Sequence, residues 1–323
     1  MAERSFVDRI SKLSSQTLYL LLILVCTVTL FFKADVPSKP EDQSVDMFLA
    51  LSQLDPSKPI LIQSDWTNSS RGESMGQFEA LMRIIMRRKV KFLLYAVGDA
   101  QAPQVARNVI NRINLEQPEA ERYKLFEDWV DAGYYADPSG AFATSMKGNI
   151  RAAFKDKQNR RPDGQSADIW GSPVLAKVKR IGDFQLLVNI TASGTMDFLI
   201  ARVGGSVPLA LMCTGVIGPQ MQQYYASGQL VGLSIGLKGV YDIERMMESG
   251  VRGTSVPKSG PDDKRIESTN FRDVQVEPFT GLTNYDRGAK YYLALHAALT
   301  LMILAVLAGN ASIIASKFKG RGK

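Results

Sequence analysis

The sequence predicts an α/β domain with a doubly wound, mostly parallel sheet, and three observations support this prediction. Short, nearly continuous apolar runs recur along the middle of the 323-residue chain. Segments with helical spacing of apolar residues lie between them, and Gly, Asp or Ser follows most of the runs. Continuous apolar runs are typical of strands in parallel sheets, because helices cover such sheets on both faces. We therefore expect a Rossmann-like or flavodoxin-like fold in one domain, residues 48–248.

Five apolar runs are predicted to form the strands of this sheet. They are Pro59–Ser64, Val90–Val97, Asp128–Tyr134, Phe184–Ile190 and Pro208–Cys213. The number of strands is left open between five and six.

Helices are predicted between the strands. Phe78, Leu81, Met82 and Ile85 follow the i, i+3, i+4, i+7 spacing of an amphipathic helix. Pro103 is placed to begin another helix, because proline is tolerated in a first helical turn. Further helices are predicted over 48–54, through Phe142, Met146, Ile150 and Phe154, and from Pro219 to Met247. The polar segment Lys155–Ser172 is expected to be a solvated loop.

Two uncharged apolar segments flank the domain, at residues 15–32 and 291–315. Each reaches the ~17–25 residues that a membrane-spanning helix needs. We interpret the first as an uncleaved signal anchor, with a cleaved signal peptide as the alternative. Residues 33–47 are then a linker. Residues 249–290, rich in Gly, Pro and charge, are expected to form a stalk.

Charge orients the two predicted spans. The tail 316–323 contains Lys317, Lys319, Arg321 and Lys323 and no acid. Positive residues beside a span stay in the cytoplasm, so we place residues 1–14 and the tail there. The expected location is the cell (inner) membrane, crossed twice, with the domain periplasmic or extracellular. More than half of the net charge of +7 lies in the tail, which argues against nucleic acid as a partner. The expected partners are the lipid bilayer and other membrane proteins or further copies of the chain.

The inventory of reactive residues is small. Cys26 and Cys213 are the two cysteines, and His296 is the one histidine. These counts exclude a disulfide framework, multi-His metal sites and His-based nucleophilic catalysis in the domain. No cofactor is expected. His296 lies in the second span as a neutral imidazole near the interface or as a functional group. Asn310, in the same span, is suited to hydrogen bonding with another helix.

Polar residues follow the predicted strands at the edge where parallel sheets bind ligands. The candidate ligand-binding residues are Asp65, Thr67, Asn68, Ser69, Asp99, Gly194, Thr195 and Thr214. Hydroxyls and helix N-termini suit an anion or a metal-bridged ligand. The same residue types are ordinary helix caps and turn residues, and both interpretations stay open. Asp65, Thr67 and Ser69 also match an Asp-x-Ser/Thr-x-Ser pattern, which makes them candidate ligands of a divalent ion.

Four glycines recur at nearly four-residue spacing within the predicted helix 219–247. They are Gly228, Gly232, Gly236 and Gly239. Glycine inside a helix costs up to ~1 kcal/mol relative to alanine, so this spacing predicts a close approach to the helix backbone. The approaching surface is the domain's own sheet or another subunit, and the four glycines are therefore candidate interface residues.

Two segments resemble an uncharacterised prokaryotic family of membrane-anchored α/β proteins. One is TGVIGPQMQQYYASGQLVGLSIGLKGVYDIE and the other is SDWTNSSRGESMGQFEALMRIIMRRKVKF. The resemblance extends over most of 60–244. It implies the α/β fold and the membrane attachment, and it implies no activity.

Three functions follow as expectations. The first is a non-enzymatic, membrane-anchored subunit of a cell-envelope membrane protein complex, with an assembly or scaffold role. The alternatives are an extracytoplasmic small-ligand sensor or binding module, and a metal-dependent hydrolase or transferase that uses Asp65 and Asp99.

Overall fold

The structure is a computed structural model that describes residues 14–32, 36–137, 140–268, 273–280 and 287–320, without the side chains of 195 and 311–320. The chain divides into a central unit, Lys39–Gly288, and a terminal unit, Met1–Ser38 with Ala289–Lys323. The two units are described in turn.

The central unit is built on a six-stranded sheet in which every neighbouring pair is parallel. The strands of the described chain are β1 Ile60–Asp65, β2 Phe92–Ala96, β3 Trp129–Tyr134, β4 Gln158–Arg160, β5 Ser166–Asp168, β6 Leu187–Thr191, β7 Leu209–Cys213, β8 Gly232–Ile235, β9 Val251–Gly253, β10 Ile266–Ser268 and β11 Gln275–Val276. The main sheet has the order β3-β2-β1-β6-β7-β8. The α/β class and the parallel sheet are therefore confirmed, with β8 as a sixth strand.

Helices cover both faces of this sheet. The described helices are α1 Ser15–Thr29, α2 Asp42–Ser52, α3 Arg71–Arg87, α4 Ala102–Leu115, α5 Ala141–Gly148, α6 Ile150–Ala153, α7 Thr195–Val203, α8 Gly218–Ala226, α9 Gly236–Ser249 and α10 Arg287–Gly320. Alternate strand residues enter two separate cores, as the two-residue period of a strand requires. Ile62 belongs to the core with α2, α3, α4 and α9. Its neighbour Leu61 belongs to the core with α5, α6, α7 and α8.

The two clearest helix predictions are confirmed. Helix α3 buries Phe78, Leu81, Met82 and Ile85, and Pro103 lies in the first turn of α4. Both helices carry an apolar stripe that packs on the sheet, so their local pattern and their tertiary environment agree.

The single helix predicted from Pro219 to Met247 is wrong. The chain forms α8, a turn, the edge strand β8 and then α9. Gly228 has φ +75° and Gly236 has φ +55°, a left-handed conformation that glycine adopts without a steric cost. The four glycines therefore do not share a helical face.

The close backbone approach that these glycines predicted is real, and the central unit itself makes it. Helix α2 packs along β8, and a Cβ atom added to Gly232 would lie 2.5 Å from the Cα of Met47. A Cβ atom on Gly239 would lie 2.9 Å from the carbonyl carbon of Ser234. A role of these glycines at a subunit interface stays a prediction.

Residues 142–172 also differ from the prediction. The helix breaks at Asn149, whose side chain accepts a hydrogen bond from the N–H of Ala152 (3.1 Å) and so caps α6. The expected loop 155–172 contains the β4–β5 hairpin. Asn159 of this hairpin exchanges two 2.7 Å hydrogen bonds with the backbone of Asp131, which continues the hydrogen bonding at the edge strand β3.

The predicted linker and stalk differ from the structure as well. Helix α2 begins at Asp42 and is largely buried, so the central unit starts before residue 48. Residues 249–288 belong to the central unit, where β9, β10 and β11 form a second sheet. Arg252, Asp263 and Arg265 are charged but nearly buried, and they pair with one another. Charge in the sequence suggested solvation there, whereas ion pairing allows these side chains to be buried.

The terminal unit contains α1 and most of α10. Residues Arg287–Asn310 of α10 are long and apolar enough to cross a membrane, with a mean hydropathy of 2.0 over their most apolar window. Helix α1 is apolar but has 15 residues, which is below that length. The first span over 15–32, the two-pass topology and the orientation therefore stay predictions. Residues 1–13 and 321–323, on which the charge argument partly rests, lie outside the described residues.

The edge contact between α2 and β8 gives a stability test. We expect Gly232→Ala to lower the free energy of unfolding by about 1–3 kcal/mol, because the added methyl overpacks against the Met47 backbone. The measurement is urea unfolding of the full-length protein in detergent, followed by tryptophan fluorescence. The control is Gly72→Ala in α3, where nothing lies within 4 Å of the added methyl. This variant should be unchanged or more stable by up to ~1 kcal/mol. Equal stability of the two variants would contradict the close contact.

Candidate functional site

The strand order places a topological switch point between β1 and β6. Chain segments leave these neighbouring strands toward opposite faces of the sheet, which opens a crevice at their carboxyl ends in folds of this type. Asp65, the last residue of β1, pairs in register with Thr191, the last residue of β6. Thr191 in turn pairs with Cys213 at the end of β7. The crevice is thus the first place to look for a binding site.

Asp65 holds together the ends of two strands. Its Oδ1 accepts hydrogen bonds from the N–H groups of Val97 (2.7 Å) and Gly98 (3.0 Å), which follow β2. Its Oδ2 accepts a hydrogen bond from the side-chain amide of Gln63. Asp65 is also nearly buried. Both carboxylate oxygens are therefore engaged by N–H donors of the chain, which favours the interpretation as a turn residue over that as a metal ligand.

The other candidates after β1 and β2 also make local bonds. The hydroxyls of Thr67 and Ser69 lie 2.8 Å apart, and Asn68 begins the short 3-10 turn that leads into α3. The Oδ1 of Asp99 accepts the N–H of Gln101 (2.7 Å) just before α4. These are capping contacts, as their residue types allow. Among the described residues, no three or more His, Cys, Asp or Glu side chains are grouped to hold a metal ion.

The candidates after β6 and β7 lie on the other side of the crevice. Thr191 Oγ1 accepts the N–H of Ser193 (3.0 Å), and the N–H of Thr214 donates to the carbonyl of Thr191 (3.3 Å). Gly194 precedes α7, and Thr195 is the first residue of that helix. The structure thus brings the ends of β1, β6 and β7 together. Asp99 directly follows Gly98, whose N–H donates to Asp65 at the end of β1.

The sequence analysis did not predict a row of buried polar side chains that crosses three neighbouring strands. Tyr95, Gln63 and Asn189 pair in register across β2, β1 and β6, and all three are buried. Tyr95 donates its hydroxyl to Gln63 Oε1 (2.6 Å). Burial, reinforced by the charges of Asp65 and Asp137, raises the pKa of Tyr95 well above its usual value, so the hydroxyl stays protonated. The signal for this row in the sequence was Gln63, a polar residue within the apolar run that ends at Asp65.

The crevice above this row is closed by side chains. The remaining cavity has a volume of about 10 Å³, which is roughly the space of one water molecule. Its lining residues are Gln63, Val97, Asp137, Phe142, Ala143, Met146, Phe198 and Leu199. Helices α5 and α7 meet there closely, since a Cβ atom on Gly140 would lie 3.0 Å from that of Phe198. Asp137 is also engaged, because its carboxylate accepts the N–H of Phe142 (2.9 Å) at the start of α5.

The carboxylate of Glu73 lies between the loops that follow β7 and β8. Glu73, in the first turn of α3, accepts the N–H of Gly215 (2.7 Å) after β7. A Cβ atom on Gly236 would lie 3.1 Å from the same Glu73 oxygen. Burial, and secondly the charge of Glu73, raises the pKa of Cys213 to about 12. Cys213 is therefore a neutral thiol at physiological pH, and a neutral thiol is a poor nucleophile.

Comparisons with known proteins add no family to this geometry. No family model matches the chain, and no curated protein and no solved structure is similar to it. The resemblance to an uncharacterised membrane-anchored family stays a prediction, and function has to be inferred from the geometry of the site.

The contacts of Asp65 distinguish a structural carboxylate from a metal ligand. We expect Asp65→Asn to lower the free energy of unfolding by about 1–3 kcal/mol, because its amide nitrogen would face the Gln63 donor and leave a buried donor unpaired. The melting temperature of the unmodified protein should be the same with EDTA, Mg²⁺, Ca²⁺ or Mn²⁺. The control is Asp99→Asn, since asparagine is as good a cap as aspartate and should change stability by less than ~0.5 kcal/mol. A metal-dependent melting shift that Asp65→Asn abolishes would contradict the structural role.

The buried thiol gives a chemical test. In a Cys26→Ser background, we expect Cys213 to resist thiol reagents at pH 8 in the folded protein and to react fully after unfolding. The measurement is the rate of modification by a chromogenic disulfide, with and without denaturant. The Cys26→Ser, Cys213→Ser double variant sets the background. Rapid modification of the folded protein would show that the thiol is accessible or ionised.

Proposed function

We propose that the chain is a non-enzymatic, membrane-anchored subunit of a cell-envelope membrane protein complex, with an assembly or scaffold role. The observation that carries this proposal is the closure of the switch-point crevice to about 10 Å³. Folds with this strand order place ligands and reacting groups in that crevice. A domain that fills it with Phe142, Met146 and Phe198 is better suited to present its outer surface than to enclose a substrate.

The reactive groups support the same proposal. Asp65, Asp99 and Asp137 accept backbone N–H groups at the ends of strands and the starts of helices. Cys213 is buried and protonated. The one histidine lies in α10 and not in the central unit. General acid–base catalysis at neutral pH needs a titratable group within reach of a substrate, and the crevice holds none that is unengaged among these residues.

The membrane part of the proposal rests on α10. Its apolar side chains are widely exposed within the described structure, as at Leu299, Ile303 and Val306. Exposed apolar area of this extent is stable against lipid tails and costly in water. The basic residues at and beyond the end of this helix support an orientation with the tail in the cytoplasm and the central unit outside.

One observation favours the alternative of a small-ligand module. The side-chain oxygen of Asn189 is buried and has no hydrogen-bond partner in the part of the chain that the structure describes. A ligand that donates a hydrogen bond would satisfy it, provided that α5 and α7 separate. Thermal stability with a panel of anions, sugars and nucleotides tests this alternative, and a shift for one of them would support it.

The assembly role predicts partners. Full-length tagged protein, extracted from membranes in a mild detergent, should retain a stoichiometric set of membrane proteins through a salt wash. The measurement is mass spectrometry of the captured proteins together with native mass. Membranes that contain the untagged chain give the background, and carbonate extraction checks separately that the chain is integral to the membrane. A clean monomer without a partner would contradict the proposal.

A further inference from the structure

Asn310 interrupts an exposed apolar face of α10. Leu299, Ile303, Val306 and Leu307 precede it at helical spacing, so the five side chains share one face. All five are exposed, and the first four by 42–62%. Leu301, Ala305 and Ala308, on the other side of the helix, are half-buried. Met302 and Leu304, which flank this face, are exposed as well. We call the five residues of the face, Leu299, Ile303, Val306, Leu307 and Asn310, the Asn310 stripe.

The side-chain amide of Asn310 has no hydrogen-bond partner among the described atoms of its own helix. Thr300 shows the usual solution, since its hydroxyl donates to the carbonyl of His296 (2.8 Å). Thr29 in α1 does the same with the carbonyl of Val25 (3.0 Å). Among the described residues, the Asn310 side chain makes no such bond. Lipid tails offer no hydrogen-bonding group, so an unpaired amide facing them costs free energy.

The depth of Asn310 makes this cost relevant. The apolar segment ends at Ala315, five residues beyond Asn310. With a rise of about 1.5 Å per residue, the amide lies about 8 Å inside that end of the run. The first charged residue, Lys317, is two residues further on. A partner for the amide is therefore needed within the apolar part of the helix.

We propose that a second copy of this chain docks on the Asn310 stripe and forms a parallel, two-fold symmetric helix pair. An asparagine amide is a donor and an acceptor at once, so two Asn310 side chains on a two-fold axis satisfy each other. A helix of another protein would need a polar group of its own at the matching depth. A single amide within an apolar helix interface also sets register and partner number. This inference rests on the proposed membrane anchor, and it names the partner of that anchor.

Cysteine cross-linking in membranes tests the face of contact. The protein is the full-length chain with Cys26→Ser, carrying Ile303→Cys or Leu307→Cys in the stripe. The matched controls are Leu301→Cys and Ala305→Cys, on the half-buried side of the same helix. Under mild oxidation, the stripe cysteines should give a band of dimer mass at a yield at least threefold above the controls. Equal yields on the two sides would overturn the proposal, and so would cross-linking of the stripe to a different protein.

Substitution of the amide tests its role. Asn310→Leu should reduce the dimer fraction in native mass measurements at least threefold, whereas Asn310→Gln keeps the donor and acceptor and should retain the dimer. An unchanged dimer fraction in Asn310→Leu would overturn the amide pairing. Carbonate extraction separates this inference from the proposed function. A chain that washes off the membrane refutes the anchor, whereas an integral but monomeric chain refutes only the docking.

Discussion

A parallel sheet has no exposed face, and most of the central unit follows from that constraint. Each strand of the order β3-β2-β1-β6-β7-β8 presents apolar residues to both sides, and each side is closed by a layer of helices. The two edge strands of the sheet, β3 and β8, also contact other elements. Helix α2 packs so closely along β8 that only glycine fits at Gly232, while Asn159 of the β4–β5 hairpin bonds to the backbone of β3. The Asn159 bonds continue the hydrogen bonding at the β3 edge. The contact at Gly232 covers a face of β8.

Polar groups at the carboxyl ends of the strands are also paired within the chain. Carboxylates near the strand ends accept backbone N–H groups from the chain's own loops. Asp65 takes the amides after β2, Asp137 takes those at the start of α5, and Glu73 takes the amide of Gly215. Residues that form a ligand site in other folds of this order are thus used to fasten loops. At the switch point the remaining cavity is about 10 Å³, whereas a wider one of about 930 Å³ lies beside Gly215 and Ile235, at the ends of β7 and β8.

The start of α10 is part of the central unit and is held by buried charge. Arg287 lies 3.6 Å from the carboxylate of Glu79, which is almost fully buried. Gly288 follows directly, and a Cβ atom on it would lie 2.7 Å from the backbone nitrogen of Tyr241 in α9. Arg112 of α4 also pairs with Glu79, so two cations compensate this buried carboxylate. Arg287 and Gly288, the first two residues of α10, are therefore packed within the central unit.

Local pattern was sufficient wherever the pattern was strong. The spacing of Phe78, Leu81, Met82 and Ile85 identified α3, and the apolar runs identified the first five strands of the parallel sheet. It failed where glycine or charge obscured the pattern. Helical spacing of Gly228 to Gly239 suggested one helix, but φ values of +75° and +55° there belong to turns around an edge strand. Charges in 249–288 suggested a stalk, but the side chains of Arg252, Asp263 and Arg265 are nearly buried and form ion pairs.

At the candidate site too, the sequence determined some features and the tertiary structure decided others. The sequence placed Asp65, Thr67 and Asp99 at the carboxyl ends of strands, because polar residues after buried runs mark those ends. It also determined the α/β class and an apolar helix long enough to cross a membrane. Only the tertiary structure decided that Asp65 binds Gln63 and the amides after β2, that Glu73 fills the cradle at Gly215, and that Phe198 closes the crevice. These contacts join residues up to 142 positions apart. Periodicity records only which side of its own element a residue occupies, so apart from the Gln63–Asp65 contact within β1 no local pattern in the sequence encodes them.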